Sequence, residues 1–565
     1  MNPFDSKLFI GYVNHVNPQY TRVHFPSSTL LSKYFLLGEE YYGGLLGSFV
    51  TIEGENKGFI GEISELNLPE KERYSLNERA FQSSDFHPTA KVEVLLSFDY
   101  YDERNAQRTL TDFPNIGAKV FVCPASFIQQ YVMQFGRKDD ELLLDIGFLT
   151  SNQQSKVNIS QQALFGRHCA VVGTTGGGKS WTVARLIEGM MQNQTKTILI
   201  DPTGEYSILA NHKKAQSERM GTETYYSYKD LTIEDLFFLV KPADRIQAPK
   251  LLEAIRSLKC IEHGIGNTKE FSDFCNEGNL TKTNMIKRSF DAYCYRNSEI
   301  IENGNLNINL DRLEKQITLE CIYDSDRNNP DIFGGRNEND VSNCVSLITR
   351  ISNIRRTGIL KFLFGFGDIS LDVRNLRQCI DDYLDINQRE KVLLRIGFEE
   401  IGFESQAREI AANAIGKYLL DKARGGSFKS NPVVLILDEA HQFLNKSVVD
   451  QYFNTASLSA YDQIAKECRK YGLFLCLATQ MPKDIPIGTL SQMGAFLVHR
   501  LINYNDKEAI KQACSTASNE MLTFLPVLGA GEAILTGVEF PMSLNIKITP
   551  PNIPPDSKTP IFSAI

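Results

Sequence analysis

The chain has no Cys-x-x-Cys pair, no apolar run long enough to cross a bilayer, no basic excess and no internal repeat. Each absence removes a class of protein. The eleven cysteines are scattered from Cys123 to Cys514. Without paired spacing they suggest neither a zinc ribbon nor a redox dithiol, and they read as free or buried thiols in a reducing compartment. A transmembrane helix needs roughly 18 to 20 consecutive apolar residues, and none is present. No membrane contact is therefore expected, and an integral anchor would have to come from a partner. The opening Met1-Asn2-Pro3-Phe4-Asp5 lacks the basic then apolar order of a signal peptide, so a cytoplasmic location is expected. Lys and Arg number 60 against 68 Asp and Glu, a formal charge of −8. A protein that coats nucleic acid is usually basic overall, whereas a ring that grips it only in a pore need not be.

What is there is an ordinary globular composition, 42% hydrophobic and 23% charged over 565 residues, enough for three or four domains. Residues 1–160 are β-rich. Short apolar or alternating runs recur at 8–13, 48–53, 58–63, 92–98, 120–123 and 142–148, several of them separated by Gly, Asn, Asp and Pro clusters. That pattern predicts a small barrel or sandwich. The character changes at Arg167: a short apolar strand, a glycine-rich turn, a helical pattern over 179–192 and a second strand ending at Asp201. This is the start of a parallel α/β sheet. Helical periodicity with polar loops over 226–387 interrupts the sheet and predicts a mostly helical insertion. The sheet resumes at 391–396, followed by a helix over 405–423 that Gly425 and Gly426 stop. The apolar runs 433–437 and 473–478 predict strands buried on both faces, with weaker strands at 496–498 and 532–535. The core thus comprises 161–225 and 388–545. Five prolines between 550 and 560 make 546–565 an extended arm.

The chemistry is carried first by Gly173-Thr174-Thr175-Gly176-Gly177-Gly178-Lys179-Ser180, a G-x-x-x-x-G-K-[ST] loop between a strand and a helix. Glycines let the backbone curl so that successive N–H groups face one anion. The helix opening there adds its positive dipole end, and its first turn includes Trp181. Lys179 is expected to neutralise the β- and γ-phosphates of ATP, and the Ser180 hydroxyl to bind Mg²⁺. Asp438-Glu439 at the end of the 433–437 strand supplies the acids such a loop needs. Asp438 is expected to hold the magnesium through water, and Glu439 to polarise the attacking water as general base. Gln480, beyond the 473–478 strand, is placed to touch the γ-phosphate or that water. Glu205, after Asp201, is a candidate second acid. Arginines that stabilise the transferring phosphoryl group are sought at Arg469, Arg167 and Arg500.

Four motifs now resemble those of the HerA family in the HerA/FtsK superfamily. They are Arg167-His168-Cys169-Ala170-Val171-Val172-Gly173, Asp201-Pro202-Thr203-Gly204-Glu205-Tyr206, Leu437-Asp438-Glu439-Ala440-His441, and Cys468-Arg469-Lys470-Tyr471-Gly472 followed by Ala478-Thr479-Gln480. The resemblance covers nearly the whole chain apart from parts of the helical insertion. It implies an α/β fold: a RecA-like P-loop ATPase core with an N-terminal β-barrel of the HAS-barrel kind. It implies a homo-hexameric ring with ATP sites between subunits, translocating on double-stranded DNA. An arginine matching Arg469 acts in trans in that family, one matching Arg167 also attends the nucleotide, and the C-terminal arm braces a neighbour. Relatives work with a partner nuclease of the NurA kind or, in anti-phage defence, with a sirtuin-like NAD-consuming effector or another nuclease. The Thr203 position is often histidine in relatives, and Thr174-Thr175-Gly176-Gly177-Gly178 varies the usual loop interior. Neither change removes a catalytic group. Two other readings stand beside the motor: a conjugation- or secretion-type pump, and a ring scaffold that binds ATP to assemble and regulate an effector. The stretch 446–453 is a place where pore loops can lie.

Overall fold

The computed structural model describes residues 2–557 except 19, 37–38, 74–85, 101–105, 108–111, 125, 130–141, 151, 244, 368–371, 386, 388–389, 403–405, 445–457, 518 and 541. Two compact units emerge. The first holds residues 1–197, 432–437 and 465–565, and the second holds 198–431 and 438–464.

The first unit begins with a closed barrel of six antiparallel strands: β1 (Phe9–Val16), β2 (Thr21–His24), β3 (Phe49–Glu53), β4 (Lys57–Asn67), β5 (Thr89–Asp99) and β6 (Lys119–Val122). Their order is β2-β1-β6-β3-β4-β5, and β5 returns to β2 through the Val23–Ala90 register. Alternate residues of each strand point inward, so Ile10, Val13, Val23, Val50, Ile52, Phe59, Ile63, Val92 and Val120 form one core. Closure leaves the barrel no exposed edge among these six strands.

The run at 142–148 does form a strand, β7 (Leu143–Leu149), but it does not join the barrel. It pairs with β8 (Asn152–Ser160) and, across the chain, with a late strand at Leu544–Ile548. The reason is local. Gly147 lies so close to the Lys547 carbonyl that an added Cβ would sit 2.0 Å from that oxygen, so only glycine lets the two backbones approach. The change of sheet therefore falls between residues 122 and 143, before the expected boundary at 160.

The remaining strands of this unit are β9 (Cys169–Val172), β10 (Val433–Leu437), β11 (Leu473–Thr479), β12 (Ala495–Val498), β13 (Glu532–Gly537) and β14 (Leu544–Ile548). With β7 and β8 they run β8-β7-β14-β13-β12-β9-β11-β10. The centre is parallel: β9 pairs with β11 and β12, and β11 pairs with β10. The other pairings are antiparallel. All residues of β9 and β10 are buried, as continuous apolar runs in a covered parallel sheet should be. The helix α1 (Lys179–Gln192) follows β9 and buries Val183, Ala184, Leu186, Ile187 and Met190. Its long apolar face, rather than its propensity, holds it in place.

The second unit takes in the strand Thr197–Asp201 from Ile198 onward, next to Leu393–Gly397, which pairs in parallel with Ala215–Arg219. Between the last two lie the helices Ile233–Val240, Gln247–Glu262, Lys287–Arg296, Leu313–Glu320, Glu338–Arg356 and Leu376–Leu384. Two of these helices, Gln247–Glu262 and Leu313–Glu320, are tied by the buried Lys282, whose Nζ lies 2.8 Å from Glu253 and 2.9 Å from Glu320. The helix Ala407–Arg424 ends where Gly426 turns left-handed, at φ +85°. The eleven cysteines are free, and all but Cys275 are buried. Among the described residues no helix is long and apolar enough to cross a membrane.

Candidate nucleotide site

Residues 173–180 leave the C-terminal end of β9 and enter α1. Gly176 (φ +74°) and Gly178 (φ +110°) occupy left-handed backbone that side chains resist. A Cβ on Gly178 would also meet Gly531 Cα at 2.8 Å. No side chain caps α1; Gly178 stands at its N-cap and Lys179 is its first residue. An uncapped helix start behind a glycine turn presents backbone N–H groups to an anion. Lys179 is 4% exposed, while Trp181 in the same turn is 39% exposed. This cradle suits a phosphate chain.

The loop is held from its own unit at several points. Gly173 N–H donates to the Thr479 carbonyl (3.2 Å), and both the N–H and hydroxyl of Thr174 donate to the Arg500 carbonyl (3.0 Å each). Gly531 N–H donates to the Gly177 carbonyl (3.0 Å). The Thr175 hydroxyl donates to Gln480 Oε1 at 2.5 Å, placing Gln480 at the mouth of the loop.

The register brings further groups to this edge. Val172 lies beside Thr479 and Val498, and Leu437 beside Leu477. The C-terminal ends of β9, β11, β12 and β10 thus share one edge, where ligands of open α/β sheets bind. The strand β11 separates β9 from β10, so their ends are two strand spacings apart, roughly 10 Å. Asp438 is the residue after Leu437, the last of β10.

In the second unit, Asp438 is fully buried and its N–H donates to the Ile200 carbonyl (3.1 Å). Glu439 is buried in left-handed backbone, φ +45° and ψ +45°, with its carboxylate 3.3 Å from His441 Nδ1. Such a backbone costs a non-glycine residue about 1 kcal/mol or more, and strain of this kind collects at functional sites. Asp201 is wholly occupied: it accepts from Gly204 N (2.9 Å), Tyr206 N (3.1 Å) and Arg395 Nε (2.7 Å). Arg395 goes on to Ser217 and Glu399. Asp201 therefore shapes the 202–206 turn, and Glu205, on that turn, keeps a buried Oε2 with no hydrogen-bond partner among the described residues. The stretch 446–453 lies outside the described residues.

Arg167 and Arg469 do not share the P-loop edge. They precede β9 and β11, so they lie at the opposite ends of those strands, about 20 Å from the phosphate loop along the backbone. Both line a cavity of about 370 Å³ with His168, Lys466, Ser491, Gln492 and Thr516. Arg167 Nε lies 2.6 Å from Glu539 Oε1. His168, at φ +62°, accepts from Leu475 N through Nδ1 (2.9 Å). Burial lowers the His168 pKa to about 4, a backbone hydrogen bond at Ala465 opposes this, and the Arg469 charge adds to it, so the ring is neutral at pH 7. Within one chain these arginines cannot serve that chain's own P-loop.

Two residues at the P-loop edge carry more than their sequence positions suggest. Arg500, unlike the other two arginines, meets the loop, and it does so through its backbone carbonyl. His499 belongs to none of the sequence motifs. It is fully buried beneath the glycines, with Nε2 2.8 Å from the Thr182 hydroxyl and Nδ1 2.8 Å from the Glu532 carbonyl. Its signal was available: a histidine at the C-terminal end of a predicted strand in a parallel sheet.

Comparison with known proteins places the chain among characterised families. Residues 144–350 match the family model described as Helicase HerA, central domain, and residues 424–557 match Helicase HerA-like C-terminal, together more than half of the chain. The chain is 26% identical over 419 residues to a probable helicase of Methanocaldococcus jannaschii, covering 72% of this chain and 70% of that protein. It is 22% identical over 521 residues to the DNA double-strand break repair helicase HerA of Saccharolobus solfataricus, covering 89% and 87%. Among solved structures, VirB4 of Thermoanaerobacter pseudethanolicus aligns at TM-score 0.44 and 13% identity, over 73% of this chain and 98% of that one. The plasmid coupling protein TrwB in complex with a non-hydrolysable ATP analogue aligns at TM-score 0.41 and 13% identity, over 74% and 92%.

Proposed function

The chain belongs to the HerA helicase family and is a P-loop enzyme that hydrolyses ATP, and from that premise we propose that it works as a homo-hexameric ring that moves along double-stranded DNA. The observation that carries the ring is the split of the catalytic groups. The P-loop and Gln480 lie at one edge of the central strands, and Arg167 and Arg469 lie at the other, lining a basic cavity. An arginine about 20 Å from its own P-loop can act only on the nucleotide of another copy. A head-to-tail contact that puts one edge against the other repeats from copy to copy and closes into a ring where the rotation between neighbours divides a full turn.

In this reading the backbone of residues 173–178 cradles the phosphates, and the buried Lys179 neutralises the β- and γ-phosphates. Ser180 and Asp438 would hold Mg²⁺, which when bound offsets the charge of the phosphate oxygens. A hydroxyl and a carboxylate acting through water are oxygen donors of the kind magnesium takes, since it keeps several of its waters. Glu439, its carboxylate beside His441, takes the proton of the attacking water. Gln480, anchored by Thr175, orients that water or the γ-phosphate. Arg469, and with it Arg167, reaches the transferring phosphoryl group from the neighbouring subunit. Support for DNA comes from the DNA double-strand break repair helicase of Saccharolobus solfataricus named above. A partner nuclease or a sirtuin-like effector completes the assembly, in keeping with a role in anti-phage defence.

The ring is tested by measuring particle mass by sedimentation, with and without a non-hydrolysable ATP analogue and Mg²⁺. The expected result is a six-chain particle, favoured by nucleotide. A single chain under both conditions would remove the trans site.

A further inference from the structure

We propose that His499, bridging the Glu532 carbonyl and the Thr182 hydroxyl, is a positioning residue that sets the phosphate-binding shape of the P-loop. The proposal rests on residues 173–180 being the nucleotide site.

The hydrogen bonds fix the ring. A backbone carbonyl can only accept, so the contact with Glu532 O places the proton on Nδ1. Nε2 then offers a lone pair, and the Thr182 hydroxyl donates to it. Threonine in a helix commonly bonds the carbonyl four residues back. Here that carbonyl, on Gly178, receives the Thr182 N–H (3.0 Å), and the hydroxyl is drawn instead to the histidine.

The side chain is also the floor of the loop, through its Cβ beneath Gly173 and Gly177 and through the ring beneath Gly178. A Cβ added to Gly173 would lie 2.5 Å from His499 Cβ, one on Gly177 would lie 3.5 Å from it, and one on Gly178 would lie 3.4 Å from Cε1. Three of the four loop glycines therefore rest on one side chain. Burial, reinforced by the Lys179 charge and opposed by backbone hydrogen bonds at Glu532 and Gly177, lowers the histidine pKa to about 4. The floor adds no positive charge at neutral pH, and Lys179 remains the local cation.

Glu532 is in turn fixed. Its carboxylate accepts from Gly529 N (2.8 Å), and the neighbouring Gly531 donates to Gly177 O and accepts from Ile548 N (2.9 Å). The start of β13 thus holds the P-loop at two points, through Gly531 and through the imidazole. Losing the imidazole leaves the glycine-rich turn free to relax. A cradle that must be ordered by the nucleotide binds it more weakly.

The test uses the full chain. Trp181, its only tryptophan, stands in the first turn of α1 and reports ADP binding by its emission, beside kcat and KM for ATP. Truncating one buried hydrogen-bonded group is expected to raise KM and the ADP Kd about tenfold in His499→Ala, with kcat changed less than about threefold. Thr182→Val, which keeps the shape and removes the hydroxyl, should give the same direction of change. The double variant should be no worse than the weaker-binding single, because both remove one contact. His499→Gln, able to reach Thr182, should recover part of the loss. Unchanged KM and Kd in Thr182→Val, a fall in kcat alone, or losses that multiply in the double variant would each overturn the proposal. Lys179→Ala separates the two levels. If it too leaves ADP binding intact, the site assignment is wrong, not just the role of His499.

Discussion

Glu439→Gln lowers steady-state ATP turnover by about 10² to 10⁴-fold, the usual weight of a general base, and leaves nucleotide binding close to wild type. The substitution keeps volume and an oxygen acceptor, so His441, 3.3 Å from the carboxylate, retains a partner. Only the ability to take a proton is lost. The local backbone gives the position its importance. Glu439 sits at φ +45°, a conformation that glutamate adopts at a cost, one residue beyond a strand whose five residues are all buried. Phosphate release measured beside Trp181 emission separates turnover from binding. Turnover at the wild-type rate would move the base elsewhere, and Glu205, with its unpartnered carboxylate oxygen, would be the next residue to test.

Arg469→Ala and Lys179→Ala should each abolish most turnover, and co-expressing the two should restore part of it. An arginine acting on the transferring phosphoryl group is worth about 10³ to 10⁵ in rate. Lys179→Ala acts earlier, by weakening nucleotide binding. In a randomly mixed ring, about one interface in four joins an intact P-loop to an intact arginine. Recovery up to about a quarter of wild-type turnover is the ceiling, falling lower if sites fire only in concert. The strand directions make the prediction specific: His168, next to Arg167, pairs with the start of β11, while Val172 pairs with its end. Particles containing both variants and showing no recovery would count against a trans role. Arg167→Ala is expected to lose less than Arg469→Ala, because Glu539 already occupies Arg167 Nε.

The parts of this site that were legible in the sequence are those written locally. Eight consecutive residues spell the phosphate loop, and an apolar run followed by Asp438-Glu439 marks a buried strand ending in acids. What was not legible depends on partners distant in the chain. His499 earns its place from Thr182, 317 residues earlier, and no periodicity announces such a pairing. Asp201 reads in the sequence only as the end of a strand. Its saturation by Gly204, Tyr206 and Arg395 is visible only once residue 395 is beside it. The fold divides in the same way. Buried parallel strands such as β10 stand out as unbroken apolar runs. The four-residue β2 and the alternating β14 carry weak signals, because each has few residues to bury. β7 was readable as a strand but not as a member of the ATPase sheet, since its partner lies about 400 residues later, at 546–548.

The most direct measurement is steady-state ATP turnover of the purified protein with and without long duplex DNA, beside the Glu439→Gln control. A ring that moves on DNA should hydrolyse ATP several-fold faster when duplex is present, with the stimulation lost in Glu439→Gln. Turnover that ignores DNA at every concentration would contradict the motor and favour a ring that spends its nucleotide on assembling a partner.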